Sequence, residues 1–318
     1  MNFYHLIDHE GFGTIHKLIG PLCEKYKNHY MFTPVELVES AINKMDMDSN
    51  SCIVIHSTGR IDSKLISNLF TYFKNNRNIY IFFHTSYNYQ CFKKRQSNII
   101  YYKGLEKKYN IGFLVPAKEV QEQFMNAGLK NVKVIQLGIE EIYKNATYKR
   151  YIRRLARYYN KIITTCSSSK AEYQYVKGID TFVNTMLDSN LSSKCLIAGI
   201  NSDAIQINNE KFSLDDFLNI LNHSIAYVQF SRFETYNITA IQAKQFKKPV
   251  FLLNAEGNKS CMNNNVYNSV NQLLNDLLNY INSPNQYDSL INDLYLDSIN
   301  RESLESFCNS FNDLLGGK

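Results

Sequence analysis

The stretch Ser224–Phe251, SIAYVQFSRFETYNITAIQAKQFKKPVF, constrains the fold more than any other part of the chain. Ile225 to Phe230 is an apolar run with the length of a buried strand. Ser231-Arg232-Phe233-Glu234 breaks it, and Thr235 to Phe246 then has helical spacing, with Ile238, Ile241 and Phe246 as inward positions. Lys247-Lys248-Pro249 closes the helix, and Val250 to Leu253 begins another apolar run. Strand, loop, helix, strand is the repeating unit of a parallel sheet, so the expected class is α/β. In open sheets of this class, ligands lie beyond the carboxyl ends of the strands, against the N–H groups of the next helix. Glu234 stands at that junction. Gln242 lies about two helical turns, roughly 12 Å, further on, so the two side chains can hold opposite ends of an elongated ligand.

The rest of the chain repeats the pattern. Phe3 to Ile7 reads as a first strand, followed by Gly11 and Gly13 and a helix from Thr14. A lone Gly-x-Gly is either a tight turn or a loop that lets a ligand approach the backbone. Ser51–His56, Ile79–Phe83 and Asn131–Leu137 are further strands, and Val115-Pro116-Ala117 marks another strand-to-helix step. Ile142 to Asn160 is dense in Lys, Arg and Tyr and reads as a helical connector. Its basic side chains either face water or meet anionic lipid headgroups, as do Lys93-Lys94-Arg95. In the second half, Lys161–Cys166 and Lys194–Ala198 are strands, the latter ending at Gly199. Lys177-Gly178-Ile179-Asp180 opens one helix, Phe212–Asn222 is another, and amphipathic helices run from Asn268 to near Leu315.

With 318 residues the chain suits two domains, each large enough for its own core. The net charge of +6 permits contact with an anionic surface or phosphorylated substrates and is too small to argue for nucleic acid. The seven cysteines are scattered, with no C-x-x-C pair, and read as reduced, mostly buried thiols. No apolar run approaches the roughly 20 residues of a membrane span, and Met1 to Gly11 lacks the basic-then-apolar order of a signal peptide. A cytoplasmic protein is expected, with peripheral contact at the inner face of the membrane as the alternative that the basic segments allow.

The central stretch resembles the donor-binding signature of the family 4 retaining glycosyltransferases. In that family an apolar strand and a bend lead to Glu, seven residues, Glu-Ala and a Lys-Pro-Val strand. Here these are Ser231-Arg232-Phe233-Glu234, Gln242-Ala243 and Lys248-Pro249-Val250. The second acid is an amide, and Thr235-Tyr236-Asn237 replaces a Gly-rich centre. The resemblance extends to Lys177-Gly178-Ile179-Asp180 and, more weakly, to Leu137-Gly138-Ile139-Glu140 before the interdomain linker. It implies the GT-B fold, in which two Rossmann-like domains with parallel sheets face each other across a cleft and a C-terminal helix crosses back to the first domain. The implied boundaries are 1–145 for the acceptor domain, 146–300 for the nucleotide-sugar donor domain and 301–318 for the crossing helix.

The resemblance also implies a chemistry: transfer of a sugar from a nucleotide-diphosphate sugar, with UDP-sugars the expected donors, to a glycan, lipid-linked or protein acceptor with retention. The setting it suggests is bacterial surface polysaccharide or glycan synthesis. Lys177 matches the lysine that contacts the diphosphate, where a cation stabilises the charge that develops as the glycosidic bond breaks. Glu234 matches the acid near the sugar hydroxyls, and Gln242 the acid that meets ribose, where an amide oxygen still accepts a hydrogen bond. Tyr236 and Asn237 bring the backbone amides nearest the phosphates. The family's first glycine loop, here Gly11 and Gly13, faces the acceptor and the donor phosphates, and Gly199 ends the strand preceding the Glu motif. The family's diphosphate arginine is absent from Ser167-Ser168-Ser169-Lys170, and Lys170 is its nearest substitute, without the bidentate geometry. His84 matches a histidine that reaches the donor sugar, and His56 is a weaker candidate at a similar strand end. No Asp-x-Asp motif ends a strand, so neither metal nor cofactor is expected. The amide at 242 and the missing arginine favour a second reading, a GT-B-fold accessory or binding subunit without turnover. A related nucleotide-sugar enzyme such as an epimerase is a third.

Overall fold

Two sheets organise the chain, and every strand pair in both is parallel. The computed structural model describes residues 1–7, 13–32, 51–57, 69, 78–263 and 265–316. These form two compact units, Met1–Glu140 with Leu304–Lys318, and Glu141–Ser303.

In the first unit β1 (Phe3–Ile7) leads through α1 (Gly13–Lys25) to β2 (His29–Phe32). Next come β3 (Cys52–Ser57), β4 (Ile79–Phe83), α2 (Tyr87–Phe92), α3 (Asn98–Tyr109), β5 (Gly112–Val115), α4 (Lys118–Asn126) and β6 (Val132–Val134). The six strands lie in the order β2-β1-β3-β4-β5-β6. β1, β3, β4 and β5 are buried along their whole length, as expected of strands covered on both faces. Phe83 anchors one side of the core, with ring centroids 4.5 Å from Phe124, 4.8 Å from Tyr102 and 5.5 Å from Phe113. Burying each such ring contributes on the order of 2 kcal/mol. The C-terminal helix, Leu304–Phe311, belongs to this unit and sets Phe311 against Phe3, His5 and His29.

In the second unit β7 (Ile162–Thr165) is followed by α5 (Ala171–Val176), α6 (Ile179–Asp188), β8 (Cys195–Ala198), β9 (Asn209–Glu210), α7 (Leu214–Asn222), β10 (Ala226–Gln229), α8 (Ile238–Gln245), β11 (Val250–Leu252), α9 (Val270–Asn282) and α10 (Asp288–Asn300). The strand order is β11-β10-β7-β8-β9. Ile162, Ile197, Val228 and Phe251 from the strands close on Phe182 and Met186 of α6 and on Leu273 and Leu277 of α9, four residues apart on one helix face. Ser213 and Ser269 start α7 and α9 by accepting from the Asp216 and Gln272 N–H groups.

The connector from Ile142 to Asn160 is not the single helix expected from its composition. It is three short turns, Ile142–Lys144, Ala146–Lys149 and Arg153–Tyr158. The Asn219 amide holds their bends by donating to the Thr147, Tyr148 and Arg150 carbonyls. Arg154 is engaged bidentately by Asp216, at 2.8 and 2.6 Å.

Candidate functional site

A doubly wound sheet opens a crevice where its strand order reverses. In the second unit that point lies between β7 and β10, the first strand of the sheet and its later neighbour. The residues after these two strands are Cys166–Asp180 and Phe230–Glu234, the two segments singled out by their sequence.

They are locked together. Lys177, just past α5, donates from Nζ to Glu234 Oε2 at 2.6 Å. Arg232 grips Asp180 with both terminal nitrogens, at 2.7 and 2.8 Å, donates to the Tyr175 carbonyl at 2.6 Å and stacks on the Tyr175 ring. The Arg232 guanidinium holds the Asp180 carboxyl below its usual range. The Arg232 backbone N–H donates to the Val176 carbonyl at 2.9 Å. Between the two ion pairs sits Gly178, at φ +65°, where an added Cβ would stand 2.0 Å from the Phe230 carbonyl oxygen. Only glycine tolerates both that backbone angle and that proximity.

A third segment, missed at the sequence level, clamps Glu234 from the other side. The Glu234 N–H donates to the Glu256 carboxylate at 3.2 Å, and the Gly257 N–H donates to the Glu234 carbonyl at 2.8 Å. A Cβ on Gly257 would collide with the Thr235 carbonyl, 1.7 Å away. The signal was a glycine a few residues past the apolar run at 250–253. Glu234 keeps 11% side-chain exposure and Lys177 23%, so both reach solvent while held. An ammonium has three donors, so the one given to Glu234 leaves two for a ligand.

The side chains of Tyr236 and Asn237 turn inward. Asn237 caps α8 by accepting from the Ala240 N–H at 3.1 Å and donates to Gln229, whose oxygen also accepts from Tyr227. Tyr236 is buried and donates its hydroxyl to Glu302 at 2.9 Å. Glu302 in turn pairs with the buried Lys244 at 2.5 Å, and Lys244 also donates to the Cys261 carbonyl at 2.6 Å. Burial disfavours the Lys244 ammonium, but Cys261, Glu302 and Asp297 outweigh it and leave its pKa above the ordinary value. These groups fix the start of α8 from below, while Ile238 and Thr239 remain half-buried.

The remaining expected positions are dispersed. Gln242 is half-buried on α8, and its side chain makes no hydrogen bond to the described residues. Lys170 caps α5 and is exposed, with no ion pair among the described residues. Gly199 has φ +106°, and a Cβ there would meet the Cys166 carbonyl at 2.4 Å. Its N–H donates to the Glu210 carbonyl at 2.8 Å, so this glycine lets β8 close on β7 and pairs onward to β9. Gly13 is the first residue of α1, and Gly11 lies outside the described residues.

His84 is in the first unit, one residue past β4, and belongs to a chain of four imidazoles. His29 Nδ1 lies 2.9 Å from His5 Nε2, His5 Nδ1 2.9 Å from His56 Nε2, and His56 Nδ1 2.9 Å from His84 Nε2. Burial pulls the pKa of His29 down to about 4 and that of His84 to about 3. Burial first, then the neighbouring rings, lowers His5 and His56 well below the ordinary value. Among the described residues no group of three or more His, Cys, Asp or Glu side chains is arranged to hold a metal ion. All seven cysteines are free thiols, and no described helix is long and apolar enough to cross a membrane.

No protein-family model matches the chain, and no curated protein matches it in sequence. Solved structures do match it. Anabaena HepE in complex with UDP-glucose is 12% identical, with both chains fully covered and a TM-score of 0.71. A glycosyltransferase from Rickettsia africae is 15% identical, with 99% and 97% of the two chains covered and a TM-score of 0.69. The GtfA/B complex is 13% identical, with 90% of this chain and 60% of that one covered and a TM-score of 0.57. At these identities the likeness establishes the fold, which is GT-B.

Proposed function

We propose that the protein is a glycosyltransferase that takes a sugar from a nucleotide-diphosphate sugar, with UDP-sugars the donors. One observation carries the reading. The Lys177–Asp180 and Arg232–Glu234 segments are cross-braced at the strand-order reversal of the second sheet. The Lys177 ammonium, held by Glu234, is placed to give its other two donors to a diphosphate and to offset the charge left as the glycosidic bond breaks. The Glu234 carboxylate has two oxygens, and the one not paired with Lys177 accepts from a sugar hydroxyl. Gln242 accepts from ribose, Tyr236 and Asn237 shape the turn beside the phosphates, and His84 is assigned to the donor sugar. Transfer proceeds with retention and without metal. The acceptor attacks from the face that the nucleotide leaves, and a departing phosphate oxygen takes the acceptor's proton. The acceptor is a glycan, lipid-linked or protein hydroxyl in bacterial surface polysaccharide or glycan synthesis. Anabaena HepE, matched over its full length, is a complex with UDP-glucose, which supports the donor class.

The test is titration with UDP and UDP-glucose, followed by donor consumption with EDTA present. UDP binding and a rate reduced at least tenfold in Glu234→Ala are expected, whereas a protein indifferent to all nucleotides refutes the proposal. A second reading, a GT-B accessory subunit, draws on the amide at Gln242 and on the likeness to the GtfA/B complex. Tight UDP binding with no donor consumed would select it.

A further inference from the structure

The positive charge of the chain is concentrated in one place. From Phe92 to Tyr109 it carries six basic side chains, Lys93, Lys94, Arg95, Lys103, Lys107 and Lys108, against one acid, Glu106. That is a formal +5 of the +6 held by the whole chain. The fold turns this composition into a surface of the first unit. Lys94 and Arg95 are exposed in the turn between α2 and α3, where the Asn98 N–H donates to the Arg95 carbonyl at 2.9 Å and leads the turn into the helix. Along α3, Ile99, Tyr102 and Leu105 are buried, whereas Ile100, Lys103, Lys107 and Lys108 are exposed. Positions 100, 103 and 107 are three and four residues apart, which sets them in one row on the outer side of the helix.

Lys94, Arg95, Lys103, Lys107 and Lys108 enter no ion pair among the described residues. Glu106 is turned to backbone instead, accepting from the Lys130 and Asn131 N–H groups at 2.8 and 2.6 Å. Lys103 Nζ reaches over the same turn, 2.5 Å from where a Cβ on Gly128 would stand, and the nearby Lys130 is exposed. The connector, the other basic segment, is built differently. Arg154 is held by Asp216, Arg157 lies 3.9 Å from Glu210, and Lys144 pairs with Glu141. Its charge is largely matched within the protein, and that of α3 is not.

Ile100 indicates which polyanion fits. It is 72% exposed, the highest value among the described large apolar residues, and it follows the basic turn and precedes the lysines of α3. A nucleic-acid backbone offers such a side chain only sugar and phosphate. A bilayer offers an apolar layer directly beneath charged headgroups, and long lysine stems let the ammonium groups stay at the headgroups while the helix settles. We propose that the α2–α3 surface docks on anionic lipid bilayers, with Lys94, Arg95, Lys103, Lys107 and Lys108 at the headgroups and Ile100 inserted between them. Such docking requires nothing of the donor site proposed above.

The test is co-sedimentation of the full chain with vesicles of phosphatidylcholine, alone or mixed with phosphatidylglycerol, at low and high salt. Binding should require phosphatidylglycerol and weaken as salt screens the headgroups. A basic side chain near an anionic surface raises partition about fivefold, so Lys103→Glu with Lys107→Glu should lower it at least about 25-fold. Lys94→Glu with Arg95→Glu should do the same. Ile100→Ser should lower it roughly five- to tenfold and leave its salt dependence unchanged. On the connector, Lys149→Glu with Arg153→Glu should cost less than about fivefold, the contribution of one basic side chain. All these side chains are exposed, so melting curves recorded alongside should match the wild type. No sedimentation at low salt, binding that ignores phosphatidylglycerol, or binding that survives both α2–α3 reversals would overturn the proposal. An equal loss from the connector pair would also overturn it. So would duplex DNA bound as tightly as the mixed vesicles together with indifference to Ile100→Ser, the mark of a general polyanion surface.

Discussion

Replacing Gly178 with alanine tests the lock between the two motif segments. Two costs arise. A non-glycine residue at φ +65° carries roughly 1–2 kcal/mol of backbone strain. The new methyl would also stand 2.0 Å from the Phe230 carbonyl oxygen and 2.6 Å from its carbon, well inside contact distance. Relief requires the turn to move off the end of β10, which stretches the Arg232 N–H to Val176 bond and both ion pairs. Overpacking of this kind costs about 1–3 kcal/mol, so Gly178→Ala should lose about 3 kcal/mol in all. For a unit spanning Glu141–Ser303, that is a fall in Tm of roughly 6–12 °C. Gly104→Ala is the control, because Gly104 is helical and exposed and its Cβ would meet nothing within 4 Å. It should be neutral or gain up to about 1 kcal/mol. Scanning calorimetry with and without UDP gives both readouts. UDP affinity should drop in Gly178→Ala because Lys177 moves with the turn. A Gly178→Ala protein that melts within 2 °C of wild type, roughly 1 kcal/mol, would refute the wedge.

The histidine chain gives the first unit a pH dependence of defined sign. The folded pKa values of His29 and His84 lie below the ordinary 6.5, so the unfolded chain takes up protons first. The stability the neutral rings confer is complete above about pH 7 and is lost as pH falls from 6.5 toward 4. Each ring loses at most about 2 kcal/mol by pH 5. Calorimetry should show the first unit weakening between pH 7 and 5 ahead of the second, and parallel behaviour would count against neutral buried rings. Tyr236→Phe removes the hydroxyl that donates to Glu302 and should cost about 1–3 kcal/mol in urea unfolding. A loss below about 0.5 kcal/mol, the range of ordinary surface substitutions, would mean that the bond contributes nothing to holding the start of α8.

Most of the parallel architecture could be read from the chain because buried parallel strands are nearly continuous apolar runs, as in SCIVIH and IYIFF. β2 and β9 escaped notice. HYMF is half exposed, and Asn209-Glu210 has no apolar signal at all. The basic connector reads as one helix by composition, yet its bends are fixed by Asn219, more than sixty residues away in sequence, and no local pattern reports that. Lys177, Gly178 and Glu234 were identifiable from motif order. Their cross-bracing by Asp180 and Arg232 was not, since an ion pair between separate loops exists only once the strands are paired. The histidines were visible singly. Only the register of β1, β2, β3 and β4 turns them into a line.

The first unit is closed by the helix Leu304–Phe311, which is made after the whole of the second unit. Phe311 and Cys308 pack against His5 and His29, which precede them by 279 residues or more. On a ribosome adding about 5–20 residues per second, the segment 141–303 can therefore finish folding before the unit that precedes it, whose histidines wait with one flank bare until the helix Leu304–Phe311 emerges. A ribosome-held chain truncated before Leu304 would carry a nearly finished second unit and a first unit still missing the helix Leu304–Phe311.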